Sequence, residues 1–209
     1  MEKKLYLIRH GQTDWNLAHR IQGKQDIPLN EAGKRQARFL AKGMENHPVG
    51  SVFSSRLSRA RETAGFLAES QKAPLFIVDG LEEISYGKWE GMTLLEIQQY
   101  FPERFAQWWK DPVNGAPPDG ESQMDVLRRT AAAMEAIQKH MAAGGAQAAA
   151  VVSHGASIHC MLAWLLKEEA PSDCPIHNAS ITVVCWETKT GTYRLETLGD
   201  IRHLPKGAR

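Results

Sequence analysis

The sequence predicts an α/β domain: a three-layer α/β/α sandwich with a mostly parallel central sheet and one antiparallel hairpin near the edge. Three observations carry this. Short continuous apolar runs at 5–8, 49–54, 75–78 and 148–153 fit strands covered on both faces. Helical spacing of apolar residues fills the gaps between them. The resulting alternation of strand and helix over residues 5–78 implies parallel strands joined by right-handed crossovers.

The elements follow in order. Leu5-Tyr6-Leu7-Ile8 is the first strand. Asn30 is placed to cap a helix carrying Ala37, Leu40, Ala41 and Met44 on one face. After the strand at 49–54, Leu57, Ala60, Ala64 and Leu67 mark a second helix, and the third strand lies at 75–78. The stretch 81–120 is less regular. Phe101, Phe105, Trp108 and Trp109 share one helical face there, more in keeping with core than with a substrate lid. Residues 111–120 hold three prolines and two glycines and read as a loop. A long helix then presents Met124, Leu127, Ala131, Met134, Ile137 and Met141. Residues 141–166 contain no Asp, Glu, Lys or Arg, a length able to span a bilayer. Gly144, Gly145, Gln147, Ser153, His154, Gly155, Ser157 and His159 interrupt that run, so it reads as a buried strand followed by a helix over 157–166. Strands at 181–186 and 192–198 flank the hairpin signal Thr188-Lys189-Thr190-Gly191. No repeat or linker divides the chain, and residues 1–209 are expected to form a single domain.

Composition sets the outer limits. The 209 residues carry 25 Lys+Arg against 24 Asp+Glu, a net charge of +1, with 43% hydrophobic residues. That is globular rather than disordered. It offers neither a basic footprint for nucleic acid nor a polybasic segment for a membrane. An anionic ligand must therefore meet a local cluster of cations. Cys160, Cys174 and Cys185 are odd in number and lack C-x-x-C spacing, as expected of reduced thiols in a cytoplasmic protein. Four apolar residues between Lys4 and Arg9 are too few for a signal-peptide core.

Three segments share one format, in which a strand ends and a reactive or cationic group follows at once. They are Arg9-His10-Gly11, Ser55-Arg56-Leu57-Ser58-Arg59 and Ser153-His154-Gly155. In open parallel sheets the ligand crevice lies beyond the carboxyl ends of the strands. Helix N-termini point positive partial charge into the same crevice. Two histidines, two or three arginines and free backbone N–H groups make a receptor for a phosphate dianion.

Arg9-His10-Gly11-Gln12-Thr13-x-x-Asn16 resembles the signature of the histidine phosphatase superfamily, also called the phosphoglycerate mutase-like family. The resemblance covers nearly the whole chain. Ser55-x-x-x-Arg59-Ala60-x-x-Thr63-Ala64 is similar to its second arginine motif, and Glu83-Ile84-x-x-Gly87-x-Trp89-Glu90-Gly91 to its acid motif. Gly120-Glu121-Ser122 matches a common pocket-helix start, and Val152-Ser153-His154-Gly155 the second-histidine motif. One tetrapeptide is weak evidence; five in order at matching strand ends are strong.

The resemblance implies residue roles. His10 would attack phosphorus as neutral imidazole, with Arg9 and Arg59 disfavouring its protonated form. A backbone carbonyl would fix its tautomer, Gly11 leaving room for the approach. Arg9, Arg59 and His154 would hold the phosphoryl oxygens, and Asn16 would add a neutral donor. Glu83 would protonate the leaving alkoxide and then activate water. Gln22 and Gly23 would contact substrate, and Glu121 would either aid binding or simply start its helix. Of the adjacent pair, Glu83 rather than Glu82 falls on the motif. Arg56 and Arg61 read as an ordinary helix face. His154 and His159, five apart, do not match a zinc helix, and His19, His177 and His203 have no ligand spacing.

The expected function is a metal-independent, cofactor-free phosphomonoesterase acting on a small phosphorylated metabolite and releasing inorganic phosphate. The alternatives are a cofactor-dependent phosphoglycerate mutase using the same histidine, and a non-catalytic phosphate-binding scaffold. In the family, mutases carry a longer insertion with paired arginines after the acid motif. Here residues 92–120 contain only Arg104 and Lys110 as cations. The family includes monomers, dimers and tetramers, which leaves a homodimer open.

Overall fold

Strand β1 (Glu2–Arg9) is the axis of a six-stranded sheet. In the computed structural model, which describes residues 2–167, 170–171 and 174–208, the strand order is β3-β2-β4-β1-β5-β6. The strands are β2 (Ser51–Ser54), β3 (Leu75–Ile77), β4 (Ala148–Ser153), β5 (Ile181–Glu187) and β6 (Thr192–Asp200). β1, β4, β2 and β3 run parallel, whereas β5 is antiparallel to β1 and pairs with β6 as an edge hairpin. The expected architecture is present. The helices are α1 (Asp14–Leu17), α2 (Glu31–Gly43), α3 (Ser58–Gln71), α4 (Leu94–Tyr100), α5 (Pro102–Lys110), α6 (Gln123–Ala143) and α7 (Gly155–Leu166).

Side chains alternate across β1 and so divide the core in two. Leu5 and Leu7 pack with Met134, Ile137 and Met141 of α6 and Ile158, Met161 and Leu162 of α7. Tyr6 and Ile8 pack on the other side with Leu40 of α2 and Ala60, Ala64 and Leu67 of α3. The charge-free stretch is accounted for by β4 and α7, and among the described residues no helix is long and apolar enough to cross a membrane.

Four expectations need correction. The stripe of α6 rotates in its first half: Val126, Thr130 and Ala133 are buried, whereas Met124, Leu127 and Ala131 are only partly so. Thr130 is tolerated inside because its hydroxyl donates to the Val126 carbonyl at 2.8 Å. The aromatic stripe does not share one face either. Phe101 ends α4 with φ −132° and ψ 47°, a break expected before Pro102. Phe105 and Trp108 then pack on buried Trp89 in a satellite core, while Trp109 stays exposed. The third strand is an edge strand whose three side chains are all exposed. Finally, α7 begins at Gly155, two residues before the expected start, and this brings two more N–H groups to the crevice.

Candidate active site

The sheet order puts the carboxyl ends of β2, β4 and β1 side by side. His10 leaves β1 and its N–H donates to the Ser153 carbonyl of β4 at 3.0 Å. Its ring is 5.0 Å from that of His154, centroid to centroid, and both side chains are buried. The Nδ1 of His10 is 2.7 Å from the Gly11 carbonyl. A carbonyl can only accept, so Nδ1 carries the proton and Nε2 presents a lone pair. Asn178 secures that carbonyl: its Nδ2 reaches the Gly11 oxygen at 3.3 Å, the His10 oxygen at 3.1 Å and Asn16 Oδ1 at 3.2 Å. Burial, then the charges of Arg59 and Arg9, push the His10 pKa well below the ordinary histidine range.

Both arginines are fixed by backbone carbonyls. Arg9 Nη1 donates to Ile176 O at 2.6 Å. Arg59, fully buried on α3, donates from Nη1 to Gln25 O at 2.7 Å and from Nη2 to Gly23 O at 2.8 Å. Burial lowers the pKa of each, to about 10 for Arg59, and the Glu83 carboxylate opposes that lowering. Arg59 thus stays charged at neutral pH. The Nε atoms of both arginines and Nδ1 of His154 are buried without a protein partner. Three orphaned nitrogens around two histidines suit an oxyanion, because a buried polar group left unpaired is costly.

His154 caps α7, and its Nε2 lies 2.9 Å from Ser55 Oγ. That hydroxyl already accepts from Leu57 N at 3.3 Å, so its own proton is free for Nε2. Burial and the charges of Arg59, His10 and Arg9 hold the His154 pKa well below the usual range. The neutral ring then carries its proton on Nδ1, the unpartnered atom. This is the arrangement the network favours.

Glu83 sits at the N-terminus of α7. Its Oε1 accepts from Ile84 N at 3.0 Å and Ser157 N at 3.2 Å, and its Oε2 from Ala156 N at 3.4 Å. A methyl placed on Gly155 would lie 3.7 Å from Arg9 Nε and 3.9 Å from Glu83 Oε2, which places Glu83 beside Arg9. Glu82 turns away, to Gly80 N at 2.8 Å and to Arg56, itself also paired with Asp79.

The remaining expected residues are each held by hydrogen bonds of their own. Asn16 Oδ1 accepts from the Thr13 backbone N–H and from Asn178 Nδ2, leaving Nδ2 as the end it can offer. Gln22 Oε1 accepts from Thr13 Oγ1 at 2.9 Å. Gly23 has φ +53° and offers Arg59 its carbonyl, and a Cβ there would lie 2.0 Å from Glu90 Oε1. Glu121 commits both oxygens: to Lys24 Nζ and Arg129 Nε, and to Ser85 N and Arg129 Nη2. Burial resists its ionisation, but the hydrogen bonds from Arg129, Ser85 and Lys24 outweigh it and lower its pKa. Among the described residues no three His, Cys, Asp or Glu side chains gather as a metal site.

A family model described as the histidine phosphatase superfamily (branch 1) matches residues 5–200. The chain belongs to the histidine phosphatase superfamily. Among superfamily relatives, a protein named probable phosphoglycerate mutase GpmB from Yersinia pestis (strain Pestoides F) is 33% identical over 210 residues, covering 96% of this chain and 94% of the relative. Bacillus stearothermophilus YhfR superposes with a TM-score of 0.83 at 33% identity, over 96% of this chain and 98% of that one. A mycobacterial glucosyl-3-phosphoglycerate phosphatase complexed with VO3 does so with a TM-score of 0.83 at 31% identity, over 95% and 100%. The matches thus extend over nearly the whole chain.

Reading the sequence alone left four partners without a role. Ser55 and Ser157 lay in or beside quoted motifs. Asn178 and Arg129 lay in none. Each acts on a motif residue from far along the chain; Arg129, for example, bonds the Gly80, Glu82 and Glu83 carbonyls.

Proposed function

We propose that this superfamily member is a phosphomonoesterase working through a phosphohistidine on His10, with no metal or organic cofactor and a small phosphorylated metabolite as substrate. The observation that carries the reading is the His10 Nδ1–Gly11 O bond at 2.7 Å beside three orphaned cationic or neutral donors. It supports a lone pair on Nε2 aimed at a bound phosphoryl group. Nε2 attacks phosphorus, and the ester P–O bond breaks with its electrons going to the alcohol oxygen. Glu83 in its acid form protonates that oxygen. Charge growing on the equatorial oxygens is met by Arg9, Arg59 and His154 Nδ1, and preorganised donors of this kind usually give the largest single rate term. Asn16 Nδ2, Gln22 and the backbone at Gly23 border the same phosphoryl group. Glu83, now a carboxylate, takes a proton from water as the water attacks the phosphohistidine. Inorganic phosphate leaves and His10 is restored.

The relatives named as mutases motivate a second reading, in which the phosphoryl group returns to substrate. The rim weakens it. Arg20, Lys24 and Lys88 are each paired with a carboxylate, Glu96, Glu121 and Asp119 respectively. A mutase must also grip the second phosphate of a bisphosphorylated intermediate. The deciding experiment is phosphate release from a panel of small phosphomonoesters in EDTA, with His10→Ala as the blank. Release well above the blank, with acid-labile and base-stable phosphate on acid-quenched enzyme, is expected. Activity lost in EDTA and restored by zinc or magnesium would remove the metal-independent reading. 2-Phosphoglycerate formed only with added bisphosphoglycerate would establish the mutase.

A further inference from the structure

We propose that Arg129 is the positioning residue for Glu83, acting through the backbone of residues 80–83; the inference rests on the reading of Glu83 as proton donor. A guanidinium has five N–H donors in a rigid fork. Arg129 makes five bonds, all to one corner of the site. Nη1 donates to Gly80 O at 2.8 Å and Glu82 O at 2.7 Å. Nη2 donates to Glu83 O and to Glu121 Oε2, each at 3.0 Å, and Nε donates to Glu121 Oε1 at 3.1 Å. Glu121 thereby orients the fork, and it also grips Ser85 N two residues beyond Glu83 at 2.9 Å. From the other side, Ser157 Oγ of α7 reaches Glu82 O at 2.6 Å.

The carbonyls of Glu82 and Glu83 are therefore both fixed from α6. With those peptide planes set, the two adjacent carboxylates must diverge. Glu82 goes to Gly80 N and Arg56, while Glu83 goes to the start of α7 beside Arg9. Lysine could not replace the fork, because three donors on one nitrogen cannot reach three carbonyls and a carboxylate together.

The test compares an alkyl ester, glycerol 3-phosphate, with p-nitrophenyl phosphate, whose leaving group needs little protonation. Glu83→Gln, Arg129→Met and the double variant are measured on both. Arg129→Met is expected to lower kcat/KM, which ends at phosphohistidine formation and so leaves out the shared hydrolysis step in which Glu83 also acts, roughly 30- to 100-fold on the alkyl ester, the scale of a misplaced reacting group. On p-nitrophenyl phosphate the loss should stay within about fivefold, the pattern of an interaction made only in the transition state of the demanding ester. In the Glu83→Gln background the selective loss should vanish, since Arg129 acts through Glu83. Arg129→Lys should not restore the alkyl rate. Should Arg129→Met fail to fold, Glu121→Gln, which loosens the fork but keeps its bulk, must show the same selectivity at smaller size. Equal losses on both esters in a selective Glu83→Gln framework overturn the Arg129 assignment and leave the acid reading standing. Equal losses in Glu83→Gln itself overturn the acid reading instead.

Discussion

Each histidine of the site has one nitrogen committed and the other free, and the committed partner decides what the free atom can do. His10 gives its Nδ1 proton to Gly11 O and keeps a lone pair. His154 meets the Ser55 hydroxyl at Nε2 and keeps a proton on Nδ1. One ring is thus set to offer a lone pair and the other a proton, although both are buried and neutral. Ser55→Ala removes the second commitment and lets the His154 proton sit on either nitrogen. A hydrogen bond to a charged group contributes about 1.5–3 kcal/mol, and losing it in the transition state is expected to lower kcat/KM roughly ten- to hundredfold. Ser55→Thr, which keeps a hydroxyl, should retain most of the activity. Wild-type turnover in Ser55→Ala would show that His154 does not depend on this bond.

At the scale of elements, the strand ends bring the chemistry together and the helix starts lock it in place. The loop after β1 lies directly on the first turn of α2. A Cβ on Gly33 would sit 2.1 Å from Gln12 O, and one on Gly11 would sit 2.5 Å from Gly33 O. Asn30 N donates to Gln12 O at 3.0 Å, and Gln36 Oε1 accepts from Gln12 N at 2.8 Å. Gly33→Ala is expected to cost about 1–3 kcal/mol by overpacking and to slow turnover, because Gly11 O moves with the loop. Gly65→Ala on α3, with nothing within 4 Å, is the control and should stabilise by about 0.5–1 kcal/mol. Thermal melts and turnover of both variants check this; equal stability of the two would mean the loop yields freely. The same elements show what the sequence could reveal. The ends of β1, β2 and β4 were legible because a buried strand stops visibly where a charged or reactive residue appears. Arg129 was not, because in Leu127-Arg128-Arg129-Thr130 nothing local distinguishes the arginine that turns inward from the exposed one. Only the structure separates them, since Arg129 follows buried Val126 by three positions and so shares its face. Asn178 lay hidden in an irregular approach to β5, where neither periodicity nor motif points at a strand end so distant in sequence. The break at Phe101–Pro102 was readable from proline alone, but the aromatic spacing across it suggested one face.

For the whole molecule, the site is a local cost carried by a fold whose net charge is only +1. His10 and His154 have folded pKa values well below those of exposed histidine, His159 and His203 are lowered as well, and burial is the largest cause in each case. An unfolded histidine titrates near 6.5. As pH falls below that value the unfolded chain takes up protons that the folded chain refuses, so stability present above about 6.5 is lost on acidification. For a fully buried histidine the loss between pH 7.5 and 5.5 is about 1.4 kcal/mol, so His10 and His154 together should steepen the fall noticeably. His154→Gln should flatten the dependence of Tm on pH over this window, whatever it does to Tm itself. Sulfate keeps its charge across the window and has the shape the orphaned donors fit. It should raise Tm by mass action and flatten the pH dependence further, since a bound anion favours charged histidines. Arg59→Ala should abolish the sulfate-dependent flattening while leaving the general salting effect. Identical sulfate responses in wild type and Arg59→Ala would show that the anion acts on the surface at large rather than between Arg9, Arg59 and the two histidines.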